Sequence, residues 1–272
     1  MKSQKNKSRI NPSSSNHDTS SIPENTENIR SERKSSGDRR KKTIVDYLLI
    51  GIAAVCLIVG VILLLIDPIK NMKRQAVTDE IMADIAAGES TFIVDRNENQ
   101  VNGEDYDYFY GTEEEREQQS IAMESEMAEL PDDVVLTALG TIKISSADIN
   151  IPLLDEATVI ALRYGAGRLE GTANPGEDGN MVILGHRMRA SGKLFNRLGE
   201  VKIGDTIEIT AIDGTVYVYT VDQIIDALEP EALVDYIDIS DGNGKQVTLV
   251  TCTPTGVATH RLLVIGHMAE EE

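Results

Sequence analysis

From Tyr47 to Ile66 the chain runs for 20 residues without a charge, YLLIGIAAVCLIVGVILLLI. That is the length a helix needs to cross the ~30 Å hydrocarbon core of a bilayer. The pattern predicts one transmembrane helix over 44–66. A cleaved signal peptide is the alternative, but its apolar core is usually ~7–15 residues, and no small-x-small site ends this run. After it, Ile81, Ile85 and their neighbours recur at helical spacing, so a helix is expected within 67–90. Beyond Pro131 the texture changes to short apolar runs broken by Gly, Pro, Asp and Asn, the pattern of an all-β barrel or sandwich. Strands are expected at 135–144, 148–153, 181–184, 206–212, 215–225, 247–252 and 261–265, with short helices at 157–164, 193–198 and 230–236. Val216 and Val218 alternate with Tyr217 and Tyr219, as in a strand with two unlike faces, and Asp213-Gly214 signals a tight hairpin turn.

Charge divides the chain further. Residues 1–42 carry 11 Lys/Arg against 5 Asp/Glu, a net of +6 that leaves −25 for the remainder. Rich in Ser and Asn and poor in large apolar residues, residues 1–43 read as a disordered basic tail. Arg39-Arg40-Lys41-Lys42 stands just before the apolar run and only Lys70, Lys73 and Arg74 follow closely, so the charge bias puts the N-terminus in the cytoplasm and residues 67–272 outside. The strongly acidic remainder argues against a nucleic-acid partner. Between Asp95 and Glu129 lie 12 acidic and 2 basic residues around the aromatic cluster DYDYFYG at 105–111. Residues 67–130 are therefore expected to be an acidic linker or stalk, with the alternative that Tyr106, Tyr108, Phe109 and Tyr110 form a lid. Residues 131–272 are the expected globular domain.

Cysteine usage and strand edges supply the chemistry. Cys56 lies in the membrane run and Cys252 near the C-terminus, so the two cannot pair within one chain, and Cys252 is either a reactive thiol or an intermolecular partner. His186 follows the buried-strand run MVILG, and Gly185 is expected to let the backbone turn there; Cys252 ends VTLVT before a turn; Arg261 opens RLLVI. Each alone has a plain reading: a structural histidine, a small buried hydrophobe, a snorkelling arginine. Jointly, antiparallel neighbours joined by 253–260 would bring Cys252 and Arg261 to one end of a sheet, giving a thiol, an imidazole to activate it and fixed donors for an oxyanion. Thr251 either shapes an oxyanion pocket or packs in its strand, and Thr253 is a further candidate for substrate or oxyanion contact. Arg187 and His260 could each replace a neighbour, His267 falls at the far strand end, and Glu177 with Asp178 reads as a solvated turn before a Ca²⁺ site. With no metal-ligand spacing of Cys and His, neither metal nor cofactor is expected.

The strings TLVTCTPTGVATHRLLVIGH (248–267), GTANPGEDGNMVILGHR (171–187) and KLFNRLGEVKIGDTIEI (193–209) closely resemble the sortases of Gram-positive bacteria over about 135 residues, from roughly Val134 onward. The resemblance implies an eight-stranded β-barrel and a cysteine transpeptidase: Cys252 attacking the Thr–Gly bond of an LPxTG-like sorting signal, His186 as acid/base and Arg261 stabilising the oxyanion. A pilin Lys or a lipid-linked cell-wall precursor would supply the amine that resolves the thioacyl enzyme. TCTP with the His260-Arg261 pair looks most like the pilus-assembling class C. The chain departs from that class in having no Asp-Pro-aromatic lid motif upstream of the barrel and no second membrane helix before Glu272, and its first strand pair lacks a Pro often seen there, ISSADINIP replacing an IPxIxxxLPI-like run. A housekeeping sortase anchoring proteins to peptidoglycan, a hydrolytic cysteine protease and a non-catalytic wall-binding module are the other readings.

Overall fold

The structure, a computed structural model, describes residues 43–99, 113–187, 194–237 and 244–269. The basic tail, the aromatic cluster at 105–111 and Lys193 lie outside the described residues, as do the lid expected there and the first residue of the helix expected at 193–198. Two compact units divide the chain, Met1–Ala54 and Val55–Glu272. The described residues of the first open helix α1, Ile44–Ala86. Its stretch Ile44–Leu65 is long and apolar enough to cross a membrane.

Within the second unit, β1 (Thr91–Asp95) and α2 (Glu113–Glu129) precede eight further strands: β2 (Asp133–Ile144), β3 (Ile149–Leu154), β4 (Ala166–Arg168), β5 (Gly179–Leu184), β6 (Thr206–Ala211), β7 (Val216–Leu228), β8 (Lys245–Thr253) and β9 (His260–His267). The last eight pair in the order β2-β3-β4-β5-β8-β9-β7-β6, and β6 returns to β2, closing an eight-stranded barrel with β1 appended to the first half of β2. Closure removes the open edges that would otherwise template aggregation. β3–β4 and β5–β8 pair in parallel and the other neighbours antiparallel.

Alternation along the strands fills the barrel. Ile142, Ile144, Ile151, Leu153, Ile207, Ile209, Tyr219 and Val221 belong to one buried cluster, as period-two side-chain placement requires. β2 leaves β1 and turns into the barrel at Gly140, where a register shift occurs. There the backbone has φ +148°, and an added Cβ would lie 1.9 Å from Thr210 O on β6, so glycine is required for the two strands to approach. The Asp213-Gly214 turn joins β6 to β7, with Thr215 N donating to Asp213 Oδ1 at 2.9 Å.

β5, β8 and β9 are buried on both faces, which is why MVIL, VTLV and LLVI read as continuous apolar runs. Met181, Ile183, Val247, Leu249, Leu262 and Val264 face the barrel core. The alternate residues Val182, Val250 and Leu263 face outward into a separate cluster with Leu184, Leu228, Leu233 and Tyr236. A buried polar chain fixes that cover: Thr248 Oγ1 donates to Asn180 Oδ1 (2.8 Å), and Asn180 Nδ2 donates to Tyr236 O (3.1 Å).

Several expected elements differ. Residues 157–164 form only a short helix α3, Ala161–Tyr164, entered through a turn in which the Thr158 hydroxyl accepts from Ala161 N (3.2 Å). The helices expected near 193–198 and 230–236 are 3-10 turns, Phe195–Glu200 and Pro230–Asp235. β4 and β1 were not anticipated. The stretch 67–130, expected as a linker or stalk, carries β1 and α2 together with the buried end of α1. Ile81, Ile85, Phe92, Val94 and Met127 from it pack with Leu136, Leu154, Ile160 and Tyr164 in a third buried cluster. Its surplus of acidic residues hid a sparse apolar face, since few large side chains on a helix suffice when the barrel supplies the other wall.

Candidate active site

Parity decides where the polar residues at the strand ends emerge. On β8 the outward series Thr248 and Val250 continues to Cys252, and on β9 the outward residue beside Leu263 is Arg261. These two are direct cross-strand partners. β5 runs parallel to β8 with Leu184 opposite Val250, and the Gly185 N donates to Val250 O (3.1 Å), so His186 arrives at the level of Cys252. A cavity of about 220 Å³ at this end is lined by His186, Cys252 and Arg261. The structure thus brings the three candidates into one site, with apolar walls from Val159, Leu162, Leu184, Leu233 and Val250.

Packing holds each part. Gly185 is needed here for a different reason from the expected turn: a Cβ would lie 2.4 Å from the Phe195 ring, and Phe195 N donates to His186 O (2.9 Å). Thr251 is buried, and its Oγ1 donates to Gly185 O at 2.6 Å. That bond ties the end of β8 to the end of β5, next in sequence to both Cys252 and His186. Arg261 Nη1 donates to Ala258 O (3.1 Å) and His260 O (3.0 Å), orienting the guanidinium at the cavity edge.

The electrostatics are set by burial. His186 is 6 % exposed. Burial, and then the charges of Arg163 on α3 and Arg74 on α1, hold its imidazole well below its ordinary value of 6.5, so the neutral ring is favoured. Arg163 is itself 3 % exposed, and α1 docks beside it through Thr78 Oγ1, which donates to Tyr164 O (3.3 Å). A neutral imidazole next to a thiol can take the thiol proton as the sulfur attacks and return it to a departing amine.

The remaining candidates stand apart from the cavity. Thr253 is buried and accepts from Arg187 Nη1 (3.2 Å), while Arg187 Nε donates to Asn196 O (3.4 Å). His260 is paired with Glu229 (3.2 Å) and Thr259 (2.8 Å). His267 lies opposite Gln246 at the start of β8, the far end of that strand. The sequence reading missed the apolar walls, among them Met123 on α2, and also Arg163 and Arg74, which act on His186. Met123 sits in a helix whose charge masked it, and two arginines distant in sequence give no local sign of converging on one imidazole.

Comparison with known proteins places the chain in a family. The family described as Sortase domain matches residues 142–269, a segment that contains His186, Cys252 and Arg261. The putative sortase YwpE of Bacillus subtilis is 30% identical over 93 residues, which cover 34% of this chain and 86% of that protein. Sortase A of Listeria monocytogenes is 29% identical over 134 residues and Sortase A of Streptococcus agalactiae 32% over 149, covering 49% and 53% of this chain. The matched segment spans 58% of the length of each of those two relatives. With a closed eight-stranded barrel, a domain match that contains the strand-end site and a relative covered over most of its length, this chain belongs to the sortase family.

Proposed function

We propose that the chain is a membrane-anchored cysteine transpeptidase that cleaves an LPxTG-like sorting signal and passes the acyl group to an amine. The observation that carries this reading is the convergence of His186, Cys252 and Arg261 on one cavity at the ends of β5, β8 and β9. Cys252 Sγ attacks the carbonyl carbon of the scissile Thr–Gly bond while its proton passes to His186. Arg261 donates to the oxygen that becomes negative, a contact stronger in the tetrahedral state than in the planar amide. As the C–N bond breaks, His186 returns the proton to the leaving Gly amine, and the acyl group remains on sulfur as a thioester. An incoming amine then attacks the thioester, His186 accepts its surplus proton, and the sulfur departs and is reprotonated. Thr251 is a positioning residue in this scheme, its hydroxyl committed to Gly185 O, and Thr253 steadies Arg187 behind the strand ends.

The TCTP motif at 251–254 with the His260-Arg261 pair supports a pilin Lys as the amine; a lipid-linked cell-wall precursor is the alternative acceptor. The apolar stretch Ile44–Leu65 supports anchoring by one helix, and the basic cluster at 39–42 supports a cytoplasmic N-terminus with the barrel outside. The full chain in detergent, given an LPxTG-type peptide and an amine, is expected to yield the new amide by mass spectrometry, and Cys252→Ala is expected to yield none. Cleavage that releases only acid would point to a protease, and absence of cleavage to a wall-binding module.

A further inference from the structure

The catalytic cavity is not completed by the shared family segment alone. Among its described lining residues, Met123 is the one that precedes residue 142. It reaches the site from α2, where Ser120, Met123 and Met127 fall at i, i+3 and i+7 and so share a helix face. Ser120 and Met127 are each 6 % exposed, and Met127 packs with Ile81, Ile85, Phe92 and Leu136. The last turn of α2 is fastened as well: Arg96 Nη1 donates to Ala128 O (3.0 Å), and Arg96 Nη2 pairs with Asp132 Oδ1 (2.7 Å). Buried contacts one turn on either side of Met123, and a clamp beyond them, make α2 a fixed wall. Val159, Leu162, Leu233 and Val250 line the same cavity, so the space it shares with Cys252 has apolar walls to which the Met123 thioether contributes.

We propose that Met123 is a specificity-determining residue, setting the size of the apolar substrate side chain accepted beside Cys252, so that an element outside the sortase domain tunes what that domain processes. The peptide arm of the test rests on the transpeptidase reading; a second arm does not. In the first, the full chain, Met123→Ala, Met123→Phe and Met123→Leu are given sorting-signal peptides whose apolar anchor residue is Val, Leu or Phe. A methylene-sized change in an apolar pocket is worth about 10–200-fold in discrimination. Met123→Ala is expected to raise kcat/KM for the Phe peptide relative to the Leu peptide by about tenfold or more. Met123→Phe is expected to lower that ratio, and Met123→Leu to keep it. In the second arm, Cys252 is labelled with methyl, isobutyl and benzyl thiosulfonates, and the benzyl-to-methyl rate ratio is expected to follow the same order. Rates that change equally for all peptides and all probes would overturn the proposal, since that is the mark of a movable cover or a general structural defect. A wild type that cleaves no peptide while the probe ratio shifts would refute the transpeptidase reading and leave the wall standing.

Discussion

At the scale of single residues, the proposed site sets one buried imidazole and one guanidinium around the Cys252 thiol. His186 has a folded-state pKa below its ordinary 6.5, so the unfolded chain takes up the proton first. Stability is therefore complete above about pH 6.5 and falls as the pH drops from there toward the folded-state value. Replacing His186 by Gln removes that acid-side loss, which denaturant titrations at pH 7.5 and 5.5 will show as a smaller difference for the variant. The Arg163 charge helps to keep the ring neutral, so Arg163→Gln is expected to move the His186 titration upward, as read by ¹⁵N chemical shifts of the imidazole. Arg261→Lys keeps a charge but loses the planar fork, and is expected to lower kcat by about 10²–10³, the cost of removing one oxyanion donor, with little change in thermal midpoint.

At the scale of elements, the site depends on the close fit of strand ends. Gly185→Ala drives a methyl into the Phe195 ring and is expected to cost roughly 1–3 kcal/mol in chemical denaturation. Gly185→Ala combined with Phe195→Leu should recover part of that loss, because the ring is the obstacle. Strands such as β5 and β8 were legible in the sequence, since burial on both faces leaves unbroken apolar runs bounded by Gly and Pro. The candidate residues were legible for a related reason: a polar side chain abutting such a run marks where a strand leaves the core. β4 was not legible, being three residues long and carrying Gly167 at its centre. Nor was α2, whose buried Met127 and Ser120 and half-buried Met123 stand among Glu side chains turned to solvent. Local pattern records which strands are buried, whereas the walls of a cavity come from residues far apart in sequence that meet only in the fold.

At the scale of the whole molecule, the end of α1, β1 and α2 add an apolar layer to the barrel, and the same layer brings Arg74 near His186 and Met123 to the cavity. Met127→Ala, which empties part of that layer, is expected to destabilise the unit by about 2–5 kcal/mol. Protease added to intact cells is expected to digest the barrel, since the basic cluster at 39–42 favours a cytoplasmic tail; a protected barrel would reverse the orientation. The central claim is that Cys252 carries the acyl group between peptide and amine. Its most direct test is intact-mass spectrometry of the full chain incubated with a sorting-signal peptide and no amine. The predicted result is an adduct of the acyl fragment on Cys252 that disappears, with an equivalent amount of amide formed, when amine is added. Cleavage with no adduct and no amide, or an adduct that persists in Cys252→Ala, would contradict it.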